Sequence, residues 1–116
     1  MAKPGWIILF GSIVFAAQAQ VPLDQDVMRG RAIAASVCSA CHVVAADQAY
    51  APILRNPGPS FQSIANKPTA TADTLRRFIS ATHKTAGEPF RMPNPELTDE
   101  MQEQVVGYIL SLRARH

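Results

Sequence analysis

One short segment limits what can fold around it: Cys38-Ser39-Ala40-Cys41-His42. Two thiols three positions apart, followed at once by an imidazole, form the C-x-x-C-H pattern of covalent c-type haem attachment. The thiols can add to the two vinyl groups of one porphyrin. The histidine is then held at the ring centre, where it can ligate iron. Other uses of the motif are weaker. Cys38 and Cys41 are the only cysteines in the 116 residues, so a four-cysteine zinc site lacks its second pair. His42, His83 and His116 could complete a mixed site only from irregular spacings. A thioredoxin-like dithiol calls for a βαβ setting, and no strand pattern surrounds the motif. A plain disulfide across so short a loop would remove little closure entropy.

Residues 1–19 read as a cleaved secretory signal peptide, and 20–116 as one domain. Lys3 is the positive n-region, Trp6 to Ala17 an uncharged and mostly apolar run, and Ala17-Gln18-Ala19 an A-x-A-type cleavage site that leaves Gln20 first. The apolar run is shorter than the roughly 18 residues of a comfortable membrane span, and an uncleaved anchor is the alternative reading. Lys and Arg number 11 against 9 Asp and Glu, and loss of Lys3 brings the remainder closer to neutral. With no basic run and no aromatic-interleaved Lys/Arg stripe, nucleic-acid binding is excluded as a reading. A domain this small has a thin core, to which a buried porphyrin would be a large apolar addition.

The rest is helical pattern broken by proline, without repeats or low-complexity tracts. A first helix is predicted from about Asp24 to Ser36, with Asp24 as N-cap and Asp26 near the positive end of the dipole. Val27, Gly30, Ala34 and Val37 share one face of small residues. Gly30 weakens the helix, and close approach of another helix would explain it. Tyr50 to Pro59, with Pro52, Pro57, Gly58 and Pro59, reads as a loop with fixed turns. Ser60 to Asn66 is predicted as a short helix stopped near Pro68. Thr71 can cap a third helix, with Asp73 in its first turn, Leu75, Phe78 and Ile79 inward and Arg76 and Arg77 outward. A second loop runs from Thr82 to Leu97. Thr98 caps the last helix, where Asp99 and Glu100 suit the dipole and Met101, Val105, Tyr108 and Leu112 form one stripe. Arg113 and Arg115 follow at the end that favours cations.

His42 fills one axial position of a haem. The candidates for the other are Met28, Met92, Met101, His83 and His116. Met28 lies on the helix leading into the motif and is badly placed for the far face; Met101 belongs to an apolar stripe. Met92 sits in Arg91-Met92-Pro93-Asn94-Pro95, a stiff loop that can present a thioether at low entropic cost. Met92 is therefore favoured, with His83, at the end of the third helix, as the alternative.

The chain resembles the class I, monohaem cytochrome c family of bacterial periplasmic type. Four segments in the family's order carry the likeness across the region after the leader. They are Gly30 in an N-terminal helix, Cys38-Ser39-Ala40-Cys41-His42, Gly58-Pro59-Ser60-Phe61, and Met92-Pro93-Asn94-Pro95-Glu96-Leu97-Thr98-Asp99-Glu100 running into Val105-Val106-Gly107-Tyr108-Ile109-Leu110. The resemblance implies an all-α, small cytochrome c fold of three to four helices around one covalently attached haem, with the N- and C-terminal helices crossing. It implies that Gly30 admits the last helix against Val105 and Tyr108. It implies that the Pro59 carbonyl accepts the Nδ1–H of His42, and that Met92 is the sixth ligand. The family's usual propionate-binding tryptophan is missing after the leader, since Trp6 is the only tryptophan. Tyr50, Arg55 and Arg91 are the candidates to replace it, with Tyr50 and Arg55 preferred.

The implied function is single-electron transfer, with no catalysis of its own. His42 and Met92 would be the metal ligands, and Cys38, Cys41, Pro59, Tyr50 and Arg55 the cofactor-binding residues. The expected partners are redox proteins docking transiently on a periplasmic monomer. The membrane would be met only through those partners or an uncleaved anchor. The competing class is a haem enzyme or gas sensor with an open distal site, for which His83 is the only visible acid–base candidate.

Overall fold

The computed structural model describes residues 1–2, 4–5, 22–81 and 92–114, and within these the chain forms four helices and no strand. They are α1 (Pro22–Val37), α2 (Phe61–Ala65), α3 (Ala72–Ser80) and α4 (Asp99–Ser111). The all-α expectation is met. Residues 3, 6–21, 82–91 and 115–116 lie outside the described residues, so the signal-peptide reading, His83, Arg91, Arg115 and His116 are not placed by the structure.

The first helix starts two residues earlier than Asp24, which lies inside its first turn and is not the cap. Proline is tolerated at the first helical position, where its missing N–H has no partner to lose and its φ is already helical. The other starts follow their hydroxyls. Ser60 accepts from the Ser63 amide, and Thr98 from the Met101 amide. Thr71 and Thr74 form a reciprocal capping box: the Thr74 amide donates to the Thr71 hydroxyl oxygen at 3.2 Å, and the Thr71 amide to the Thr74 hydroxyl oxygen at 2.9 Å.

The first and last helices cross at Gly30. A Cβ built there would lie 1.9 Å from the Gln104 carbonyl oxygen and 2.9 Å from Tyr108 Cβ. No side chain fits between the two backbones, which is the reason for a helix-weakening residue in mid-helix. The crossing is centred on Gln104 and Tyr108, one residue away from the expected Val105. Val105 instead turns into the core, where it is buried with Ala34, Phe61, Val106 and Ile109.

The third helix buries Leu75 and Ile79 as its spacing predicts, but Phe78 is 52 % exposed. Phe78 lies where α3 faces a cavity, so its ring borders open space instead of packed core. Arg76 donates to Asp73 on its own helix and to Glu103 on α4, which ties the third helix to the fourth. Val37, expected on the inner face of α1, is 41 % exposed at the end of that helix.

Candidate haem site

The Cys-x-x-Cys-His segment continues the first helix by one more turn. The Cys38 amide donates to the Ala34 carbonyl at 2.9 Å, and the Cys41 and His42 amides both donate to the Cys38 carbonyl, at 3.1 and 2.9 Å. Positions i, i+3 and i+4 of a helical turn lie on one face. Cys38, Cys41 and His42 accordingly line the same cavity, of about 960 Å³. The spacing of the motif is thus the spacing of a helical turn that aims two thiols and one imidazole at one guest.

Proline and glycine then hold the imidazole. The His42 Nδ1–H donates to the Pro59 carbonyl at 2.7 Å. A carbonyl can only accept, so Nδ1 carries the proton and Nε2 keeps its lone pair for a metal. Gly58 lets the backbone pass beside the ring: a Cβ there would lie 2.4 Å from Cε1 and 2.8 Å from Nδ1. Its amide donates to the Cys41 carbonyl at 2.7 Å, which binds the turn to the motif. Phe61 lies tilted against the imidazole, with ring centroids 5.6 Å apart.

The segment after His42 is pinned from several sides. The Tyr108 hydroxyl donates to the Val44 carbonyl at 2.7 Å, and the Val44 amide donates to Gln48 Oε1 at 2.8 Å. The Phe61 amide donates to the Val43 carbonyl at 2.9 Å. Arg31 on α1 donates to both carboxylate oxygens of Asp47 at 2.6 Å, which holds the Asp47 carboxyl below the usual range. Burial pushes the Tyr108 hydroxyl upward from its ordinary value.

More of the wall comes from the loop before α4 and from α3. Met92, Pro93, Pro95 and Leu97 line it, with Leu75, Phe78 and Ile79 beside them; Phe61, Ile64, Val105 and Ile109 also face the cavity. Asn94 fastens this loop: its Nδ2–H donates to the Ser80 carbonyl at 3.2 Å, and its Oδ1 accepts the Glu96 amide at 2.9 Å. Glu96 has a left-handed backbone, φ 54°, uncommon for a residue with a Cβ. The bond to Asn94 and the two nearby prolines fix that conformation. Met92 is half-buried and packs against the core.

The cavity fits a haem by its donor set. Its lining is apolar apart from a few side chains, and it combines two thiols, a histidine with a committed Nδ1 and a methionine. Burial and the neighbouring Cys41 push the Cys38 thiol up to about 11, so it stays protonated at neutral pH. A dithiol oxidoreductase needs the opposite shift. Both cysteines are free of any disulfide.

Sequence reasoning brought Cys38, Cys41, His42, Pro59 and Met92 to one place. It did not do so for Tyr50 and Arg55. Tyr50 is 85 % exposed, and neither residue lines the cavity, although Leu54 and Asn56 on either side of Arg55 do. Met28 is 71 % exposed on α1. Lys67, Thr69 and the Tyr108–Val44 bond were not anticipated, and no local pattern marks them.

Helices packed around a cavity that offers two thiols and an oriented imidazole define a protein built to hold a covalently attached haem. The chain belongs to the cytochrome c family, whose sequence profile matches residues 27–113. It is 31 % identical over 101 residues to cytochrome c-552 of Bradyrhizobium diazoefficiens, an alignment covering 87 % of this chain and 88 % of that one. No solved structure matches the chain significantly. The cofactor is c-type haem, covalently attached, and the family's work is haem-based electron transfer. Among the described residues, no helix is long and apolar enough to cross a membrane.

Proposed function

We propose that this protein is a monomeric, exported one-electron carrier of the periplasm, freed of residues 1–19 and working as a domain of residues 20–116. It exchanges electrons with redox proteins that dock transiently and does no catalysis itself. In this reading Cys38 and Cys41 would form the two thioethers, His42 and Met92 would ligate the iron, and Pro59 orients His42. The observation that carries it is that one cavity is lined by Cys38, Cys41, His42 and Met92 together.

Bound haem supplies a one-electron iron couple whose potential depends on its axial ligands and burial. The chain's part is to hold that group still. The Pro59 carbonyl keeps the His42 ring in one tautomer and raises its basicity. The Asn94 bonds and the prolines hold the Met92 loop in place, so ligation there requires little ordering. Side chains held in this way would need little rearrangement for the one-electron chemistry that bound haem would supply. The apolar lining disfavours the more highly charged oxidised centre and raises the potential.

The test is optical. The protein is exported with a c-type haem maturation system, and its oxidised, dithionite-reduced and carbon monoxide-treated spectra are recorded. Low-spin bands, a far-red Fe(III)–methionine absorption and no response to carbon monoxide are expected. Met92→Ala should lose the far-red band and bind carbon monoxide. An unchanged Met92→Ala spectrum removes Met92 from the ligand set, and a high-spin wild type removes the carrier reading.

A further inference from the structure

Haem carries two carboxylates as well as its iron, and a carboxylate beside an apolar wall is costly unless it is paired or solvated. Most cations among the described residues are already engaged. Arg29 faces Asp26 at 3.8 Å, Arg31 holds Asp47, and Arg76 holds Asp73 and Glu103. Arg77 donates to the Asp73 carbonyl at 3.3 Å, and Arg113 donates to the carbonyls of Ala65 and Ala70. Arg55 and Lys67 have no side-chain partner among the described residues. Of these two, only Lys67 lines the cavity, where it is the one formally charged side chain among the described residues.

The turn that carries Lys67 is held in place. The Lys67 amide donates to the Ile64 carbonyl at 3.1 Å, and the Ala70 amide to the Lys67 carbonyl at 3.0 Å. From the segment after α4, Arg113 Nε donates to the Ala65 carbonyl at 2.9 Å, and the Ala114 amide to Asn66 Oδ1 at 2.9 Å. Both ends of the turn are thus bonded to the segment that follows the last helix. Thr69, on the same turn, also lines the cavity.

We propose that Lys67 is the counter-charge for a haem carboxylate, with Thr69 beside it, in place of the Tyr50 and Arg55 expected from sequence. The proposal rests on the haem-carrier reading above and adds the residue that neutralises the cofactor's own charge. A cation at that position also favours the reduced centre, which bears one positive charge fewer.

The experiment is spectroelectrochemical titration of the haem-loaded chain and four variants: Lys67→Gln, Lys67→Arg, Arg55→Gln and Arg29→Gln. Lys67→Gln should lower the reduction equilibrium about threefold to tenfold, a tenfold change being about 59 mV for one electron. Lys67→Arg should restore it, and the Arg29 variant should move it much less, because Arg29 faces Asp26 and does not line the cavity, whereas Lys67, although exposed to solvent, borders it. Proton NMR of the haem propionate methylenes should report the Lys67→Gln change and not the Arg29→Gln change. A Lys67→Gln shift no larger than that of Arg29→Gln overturns the proposal, and a larger shift in Arg55→Gln transfers the role to Arg55. A wild type without covalent haem or a reversible one-electron wave overturns the carrier reading and this one with it. A normal wild-type wave with a silent Lys67 overturns this one alone.

Discussion

Gly58 stands where the backbone skirts the imidazole of His42. A methyl group there would lie 2.4 Å from Cε1, far inside van der Waals contact. The ring and the Pro59 carbonyl cannot both keep their places. Gly58→Ala is therefore expected to lower haem incorporation and raise the high-spin fraction, read from the optical spectrum at equal protein. Tyr108 acts at the same scale. Its hydroxyl donates to the carbonyl of buried Val44, so Tyr108→Phe should cost about 1–3 kcal/mol at neutral pH, measured by denaturant unfolding. Burial raises its folded pKa above the ordinary 10. Its contribution is then fully present below pH 10 and is lost as pH rises through the folded value, because the unfolded chain ionises first. The phenylalanine variant should show a flatter fall in stability above about pH 10.

At the scale of the elements, two effects oppose each other at Gly30. Alanine would favour an isolated helix by about 1 kcal/mol. The same methyl would meet the Gln104 backbone carbonyl at 1.9 Å, and backbone cannot swing aside as a long side chain can. Overpacking of this kind costs about 3 kcal/mol, so Gly30→Ala should be net destabilising by about 2 kcal/mol, visible as a lowered midpoint in thermal unfolding. The sequence revealed this crossing because a glycine in mid-helix contradicts local propensity and asks for a neighbour. Thr71 and Thr98 were legible as caps for a similar reason: the hydroxyl and the amide it serves are three residues apart, a spacing that Ser60, read only as the start of its helix, also has. Asp24 misled, since the proline two residues before it can itself begin a helix. Phe78 misled because helical spacing says which side faces inward but not whether that side meets packed core or cavity. Arg113 and the Tyr108–Val44 bond join residues far apart along the chain, and no local period records such pairings or shows that the turn at Lys67 borders the cavity.

For the molecule as a whole, the cavity of about 960 Å³ is a debt that only a guest can settle. Without a guest its apolar walls would face water, and a domain this small has little other core to offset that loss. The haem-free chain, made as Cys38→Ala with Cys41→Ala, should therefore lack a cooperative thermal transition and near-ultraviolet circular dichroism, while the haem-loaded protein shows both. The helices that clasp each other at Gly30 are the first and the last of the four. A chain made N-terminus first has nothing to lay across α1 until residues beyond Thr98 have followed. Until then the Cys38–His42 turn stays open on the side that the last helix and the Met92 loop will close. The order of the chain itself thus leaves an interval in which haem can be attached to an unfinished fold, and arrival of the final helix ends it.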